Sequence, residues 1–237
     1  FANQYVSAMA EANIGLGVIT NYNKFDLDEF KALQKKARKA GVGLLPGVEL
    51  SVKDGNAGIH TLVIFSDDWF RNKEQTNHIQ SFLTLTFAGI PNFDDENARS
   101  NHDIIETIRE LDKFQKDYFL IFANVHANNG LWGGLSAGRI SDLFASETVR
   151  RRVLGFQKVQ IHDERIKIQQ ALGGSYPAEV HGSDAKKITD IGARKEACYL
   201  KLGDFSFEAV KYGIFGCGFS PPKPCAAWWC TALTLWA

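Results

Sequence analysis

The sequence predicts an α/β fold, a parallel sheet or barrel of buried strands covered by helices. Two patterns carry that expectation. Compact apolar runs of strand length recur at residues 14–20, 41–52, 60–65 and 118–125, with no polar side that would mark a half-exposed strand. Between them lie segments with apolar residues at helical spacing, opened by polar caps. No internal repeat and no low-complexity tract breaks the alternation.

Residues 2–12 place Tyr5, Val6, Met9 and Ala12 on one helical face, and the run from Ile14 to Thr20 follows as a strand. Asp26 can cap a helix with Phe30, Leu33 and Ala37 inward, which Gly41 ends. Gly41–Val52 reads as a second strand, Asp54-Gly55 as a turn and His60–Phe65 as a third strand. A helix is expected within 69–88, a polar loop over 91–101 and a helix from Asn101 or Asp103 with Ile104, Ile105, Ile108 and Leu111 inward. Tyr118–Val125 is the clearest buried strand, and the glycine-rich stretch 128–139 must be a loop. Further strands are expected at 153–159, 177–180 and 198–203, with helices at 162–172, 185–191 and 205–212.

Composition narrows the function classes. The 237 residues carry 27 basic and 27 acidic side chains, which argues against a strongly basic nucleic-acid surface or an acidic tail. With 45% hydrophobic residues the chain can bury a core, and no apolar run reaches the ~18–20 residues of a membrane span. The expected organisation is a domain over 1–212 and an atypical apolar tail over 213–237. From Ile214 onward there is no Asp or Glu, and three of four cysteines and three of five tryptophans crowd there. That tail reads as a non-native continuation, with a lipid-interface segment as the sharper alternative. Cys198 is then the one cysteine of the domain, which suits a reducing cytoplasm.

In α/β folds, sites lie beyond the carboxyl ends of the strands. The polar residues there are Thr20 to Asn23, Glu49, His60 at the head of its strand, Asn124, His126, His181 and Asp184. Five are His or carboxylate, the ligand types of Zn²⁺, Mn²⁺ or Fe²⁺. Each has a plainer reading: a solvated strand-end carboxylate for Glu49, an edge residue for His60, an exposed loop residue for His126 and a helix cap for Asp184. There is no GxxxxGK[ST] phosphate loop, no complete GxGxxG and no GxSxG elbow.

Taken in order, these strand ends resemble the PHP (polymerase and histidinol phosphatase) family. The stretches GVITNYN, LLPGVELSV, IHTLVIF, LIFANVHAN and VHGSDAKK fall in the family's order over residues 1–212. The resemblance implies a distorted βα barrel, related to the TIM barrel and incomplete here at its N-terminus, because the opening His-x-His strand has no counterpart. It implies a metal-dependent phosphoesterase with Glu49 bridging metals and His60 and Asp184 as ligands, the three residues carrying catalysis. His126 and His181 are possible substitutes as metal ligands, and Asn21, Tyr22 and Lys186, standing where the family has Asp or His, could meet substrate. The implied cofactors are divalent ions (Mn, Zn or Fe), and the substrate is a phosphoester, with nucleic acid among the candidates. CYLKLGDFSFEAVKYGIF further resembles the link to a downstream ATPase domain. The replaced motif residues keep a second expectation open, a non-catalytic PHP-like module that senses a ligand or regulates that ATPase half.

Overall fold

The computed structural model describes residues 2–95, 98–157, 161–182, 185, 187–193, 198–216 and 230–236. Asp184 and Lys186 therefore lie outside the described residues, as do positions 217–229.

The strands are β1 (Leu16–Tyr22), β2 (Gly43–Val52), β3 (Ile59–Phe65), β4 (Tyr118–Phe122), β5 (Val153–Gln157), β6 (Ala178–Val180), β7 (Cys198–Lys201) and β8 (Cys230–Trp236). They form one curled half-barrel sheet in the order β6-β5-β4-β3-β2-β1-β8-β7. Strands β1, β2, β4, β5 and β6 run in one direction, and β3 lies antiparallel to both β2 and β4. The expected all-parallel order fails at β3 for a reason of reach. Only residues 53–58 join β2 to β3, and a parallel crossover needs a dozen or more. Gly55 and Gly58 take that hairpin through φ of +63° and +81°.

Side-chain alternation divides the sheet into two faces. The outer face packs Leu44, Val48, Leu50, Val63, Leu120 and Phe122 under helices α1 (Ala2–Glu11), α2 (Leu27–Lys39), α3 (His78–Thr86), α4 (Ile104–Asp112), α5 (Leu131–Gly134), α6 (Ala137–Ala145), α7 (Glu147–Arg152) and α8 (His162–Leu172). The inner, concave face packs Leu16, Val18, Leu45, Leu62, Ile64, Phe119 and Ile121 against α9 (Phe207–Gly216). Because β2, β3, β4 and β5 are covered on both sides, every one of their residues is buried.

Local chemistry sets the helix boundaries. Asp26 caps α2 by accepting from the Glu29 amide, and Asp103 with Glu106 forms a reciprocal capping box on α4. The helix expected within 69–88 is confined to α3. Gln75 turns at φ +54° and Asn77 accepts from the Gln80 amide, so the helix starts there. The stretch 128–139, expected as a loop, contains α5 and the start of α6, and residues 140–152, on which the periodicity reading placed no element, form the rest of α6 and α7. At the chain's other end, β8 pairs parallel to β1 and antiparallel to β7, while Ile214, beyond the boundary expected at 213, is buried in α9 on the inner face.

Candidate functional site

Strand direction and face decide which polar residues meet. The carboxyl ends of β1, β2, β4, β5 and β6 and the amino end of β3 share one rim. On the concave face Tyr22 pairs with Glu49, and Ser51, two residues on from Glu49, pairs with His60. Glu49 and His60, remote in sequence, thus point the same way from adjacent strands.

They meet directly. His60 Nδ1 lies 2.7 Å from Glu49 Oε1, a charge-assisted contact in which the ring N–H donates to the carboxylate. Glu49 is 2% exposed and His60 8%. The other ring nitrogen, Nε2, receives the side-chain amide of Asn129 at 3.1 Å. The Tyr22 ring stands edge-on to the imidazole, centroids 5.7 Å apart. One step down β1, Thr20 is buried on the same face, its hydroxyl without a hydrogen-bond partner among the described residues.

Asn23 braces the rim from behind. Held at φ +48° and fully buried, it donates its amide to the Asp95 and Ala98 carbonyls and accepts from the Ser51 amide, while its own N–H reaches the Glu49 carbonyl. It thereby ties the 95–98 segment to β2 directly behind Glu49.

The remaining candidates are dispersed. Asn21 emerges on the opposite face of β1 and lines a crevice of about 40 Å³ with Tyr5, Phe25 and Phe30. His126 follows Asn124, whose φ of +43° ends the extended chain, so the alternation along β4 no longer governs its direction. Its Nδ1 lies 3.2 Å from Glu164, its Nε2 accepts from the Ile161 amide at 3.3 Å, and its ring stands edge-on to Trp132. His126 therefore braces the start of α8. His181 follows β6 at the same rim and is half-buried. Thr20 was among the strand-end polar residues of the sequence, whereas Asn129 joins the site without having been singled out, since a loop asparagine has no spacing signature.

Carboxylate and imidazole are donor types of a borderline divalent ion, but here Glu49 Oε1 and His60 Nδ1 are engaged with each other and Nε2 faces the Asn129 amide. Among the described residues no third His, Cys, Asp or Glu joins them to complete a metal-holding group. None of the described helices is long and apolar enough to cross a membrane.

No protein-family model and no curated protein matches the sequence. Solved structures do match. A protein of Bifidobacterium adolescentis proposed to be a metal-dependent phosphoesterase aligns with a TM-score of 0.57 at 12% identity, over 92% of this chain and 91% of that one. A two-domain protein of Bacteroides vulgatus, containing a predicted PHP-like metal-dependent phosphoesterase, aligns with a TM-score of 0.52 at 13% identity, over 90% of this chain and 57% of that one. At such identities the likeness is one of architecture: this chain is a mixed α/β half-barrel with the fold of those two proteins.

Proposed function

We propose that the chain is a PHP-type phosphoesterase domain that uses a divalent ion (Mn, Zn or Fe) held by Glu49, His60 and Asp184, with His181 as a further donor. Tyr22 and Lys186 are assigned to the phosphoester, and the downstream ATPase domain and a cytoplasmic setting belong to the same reading. The observation that carries it is the buried Glu49–His60 contact on the concave face at the carboxyl rim. The fold likeness to a protein proposed to be a metal-dependent phosphoesterase adds support.

A bound divalent ion supplies charge neutralisation at the phosphoryl oxygens and lowers the pKa of water. The protein's own residues do the rest. Glu49 accepts from Nδ1 and so fixes the orientation of the His60 ring. Tyr22 limits rotation of the ring from the β1 side. Leu62 and Ile121 are buried in the apolar packing of the same face.

The test is elemental analysis of purified protein for Mn, Zn and Fe, followed by phosphodiester and phosphomonoester assays with each ion. Stoichiometric metal that Glu49→Ala or His60→Ala removes, together with turnover, is the expected result. Folded protein that takes up no ion under any condition would overturn the enzyme reading and leave a non-catalytic, ligand-sensing module.

A further inference from the structure

Many arginines of the chain are spent on acceptors: Arg38, Arg71, Arg139, Arg152 and Arg165 face carboxylates, and Arg150 faces two carbonyls. Arg99 is exposed, and its side chain has no ion pair or hydrogen bond among the described residues. It stands close to the Glu49–His60 pair. A Cβ placed on Gly58 would lie 2.6 Å from Ser51 Oγ and 3.4 Å from Arg99 Cγ, so the arginine stem and the serine hydroxyl converge on one point. Ser51 follows Glu49 by two residues on the concave face and pairs with His60. It is 2% exposed, and its hydroxyl too has no hydrogen-bond partner among the described residues. We infer that Arg99 and the Ser51 hydroxyl form an anion position that takes the phosphoryl group of the phosphoester beside His60. This rests on the phosphoester reading above but requires no bound ion.

The backbone around Arg99 is tied down on both sides. Before it, Asn23 donates to the Asp95 and Ala98 carbonyls. After it, the Ser100 N–H donates to the Ser51 carbonyl at 2.8 Å, and the Asn101 N–H to the Thr86 carbonyl at 3.0 Å. The Lys53 N–H closes the segment by donating to the His102 carbonyl at 3.0 Å. Residue 99 is thus pinned to β2 and to the end of α3, and its side chain alone is left to move. Gly58 runs at φ +81°, and its missing Cβ leaves the gap in which stem and hydroxyl meet. The chemistry suits a phosphoryl group. A guanidinium offers paired N–H donors to two oxygens of one phosphate, and the hydroxyl adds a third donor. The Glu49 carboxylate is already engaged by His60 and leaves Arg99 to the ligand. A cation carried on a fixed backbone has less freedom to lose when the anion arrives.

The test is calorimetric titration of the full chain with inorganic phosphate and with phenyl phosphate, in the presence of a chelator. Wild type is compared with Arg99→Ala, Arg99→Lys and Ser51→Ala, and thermal melts confirm that each variant folds. Arg99→Ala should raise the Kd about tenfold and Ser51→Ala about fivefold. Arg99→Lys should fall between wild type and Arg99→Ala, because an ammonium keeps the charge and loses the fork. In ¹⁵N spectra the Ser51 and Gly58 amides should shift at phosphate concentrations that leave them in place in Arg99→Ala. Equal phosphate binding in wild type and folded Arg99→Ala, or none in wild type, would overturn the anion position. Turnover untouched by Arg99→Ala would overturn it as well and leave the phosphoesterase reading standing. Phosphate held through Arg99 without turnover of any phosphoester would support the anion position and overturn the enzyme reading alone.

Discussion

The two rims of the sheet are both rich in charge, and they dispose of it in different ways. At the rim formed by the amino ends of β4 and β5, Asp117 is a hub. Its side chain accepts from Arg152, Lys211 and the Tyr118 amide, and its carbonyl accepts from Ser66 and from the Trp69 indole at 2.9 Å. Arg152 also reaches Asp112 at 2.6 Å and lies over the Tyr118 ring, 4.2 Å from its centroid. Every group there has partners from several elements, and the result is a clasp joining α4, α7, α9 and β4. At the carboxyl rim the Glu49–His60 pair has, among the described residues, a further polar side-chain contact in Asn129. A group with many internal partners is committed to the fold, whereas one with few can still engage a ligand.

That contrast can be broken by substitutions at each rim. The largest effect is expected from Trp69→Ala. The indole is fully buried among Phe65, Phe82, Phe114 and Tyr118, so its loss should cost about 3–5 kcal/mol. The melting temperature should fall by roughly 10 °C or more, with ion uptake by the folded fraction unchanged. A loss under ~1 kcal/mol would show that this rim does not anchor the fold.

Next comes Asp117→Ala, which removes the side-chain acceptor but leaves the carbonyl hub. The carboxylate is about one-third exposed, so solvent screening limits the loss to ~1–2 kcal/mol in denaturant unfolding.

Tyr118→Phe sharpens the comparison through pH. The Tyr118 hydroxyl has two acceptors within reach of its one proton, the Ile108 carbonyl at 3.1 Å and Asp112 at 2.9 Å, and burial above all holds its pKa far above the ordinary tyrosine value. A raised folded-state pKa means that both states hold the proton below pH ~10, and above it the unfolded chain releases the proton first. Wild-type stability should therefore fall as pH rises past ~10, and a variant without the hydroxyl escapes that part of the fall. Its deficit of about 1 kcal/mol at pH 7 should shrink in unfolding curves at pH 10–11. A deficit constant across that range would show that Tyr118 is not shielded.

The smallest stability change is expected at the carboxyl rim. Glu49→Gln keeps an oxygen to accept from His60 Nδ1 and should stay within about 1 kcal/mol of wild type. It should nevertheless abolish ion uptake measured by elemental analysis. A large drop in stability instead would make Glu49 a structural residue like Asp117.

How much of this was legible in the sequence varies by element. The strand at 118–122 and the caps at Asp26 and Asp103 were readable because a buried strand is a plain apolar run and a cap is a local hydrogen bond. Helices α6 and α7 were not, since they follow a glycine-rich loop that masks their start. Glu49 and His60 stood out as strand-end polar residues. Their contact did not, because it depends on the register that sets Ser51 opposite His60. Asn129 gave no signal in a loop composition shared by many turns.

By itself the sequence determined the alternation of buried strands and amphipathic helices, since burial on two faces demands apolar runs and burial on one demands helical spacing. It also singled out Glu49 and His60 as strand-end polar residues, which the fold brings into contact. Tertiary structure alone decided that β3 runs backward, that Asn21 and Tyr22 part to opposite faces, and that His126 turns to α8 while His60 turns to Glu49. The physical reason is the same in each case. Side-chain direction follows from strand register and local φ, and both are settled by pairing between segments far apart in the chain.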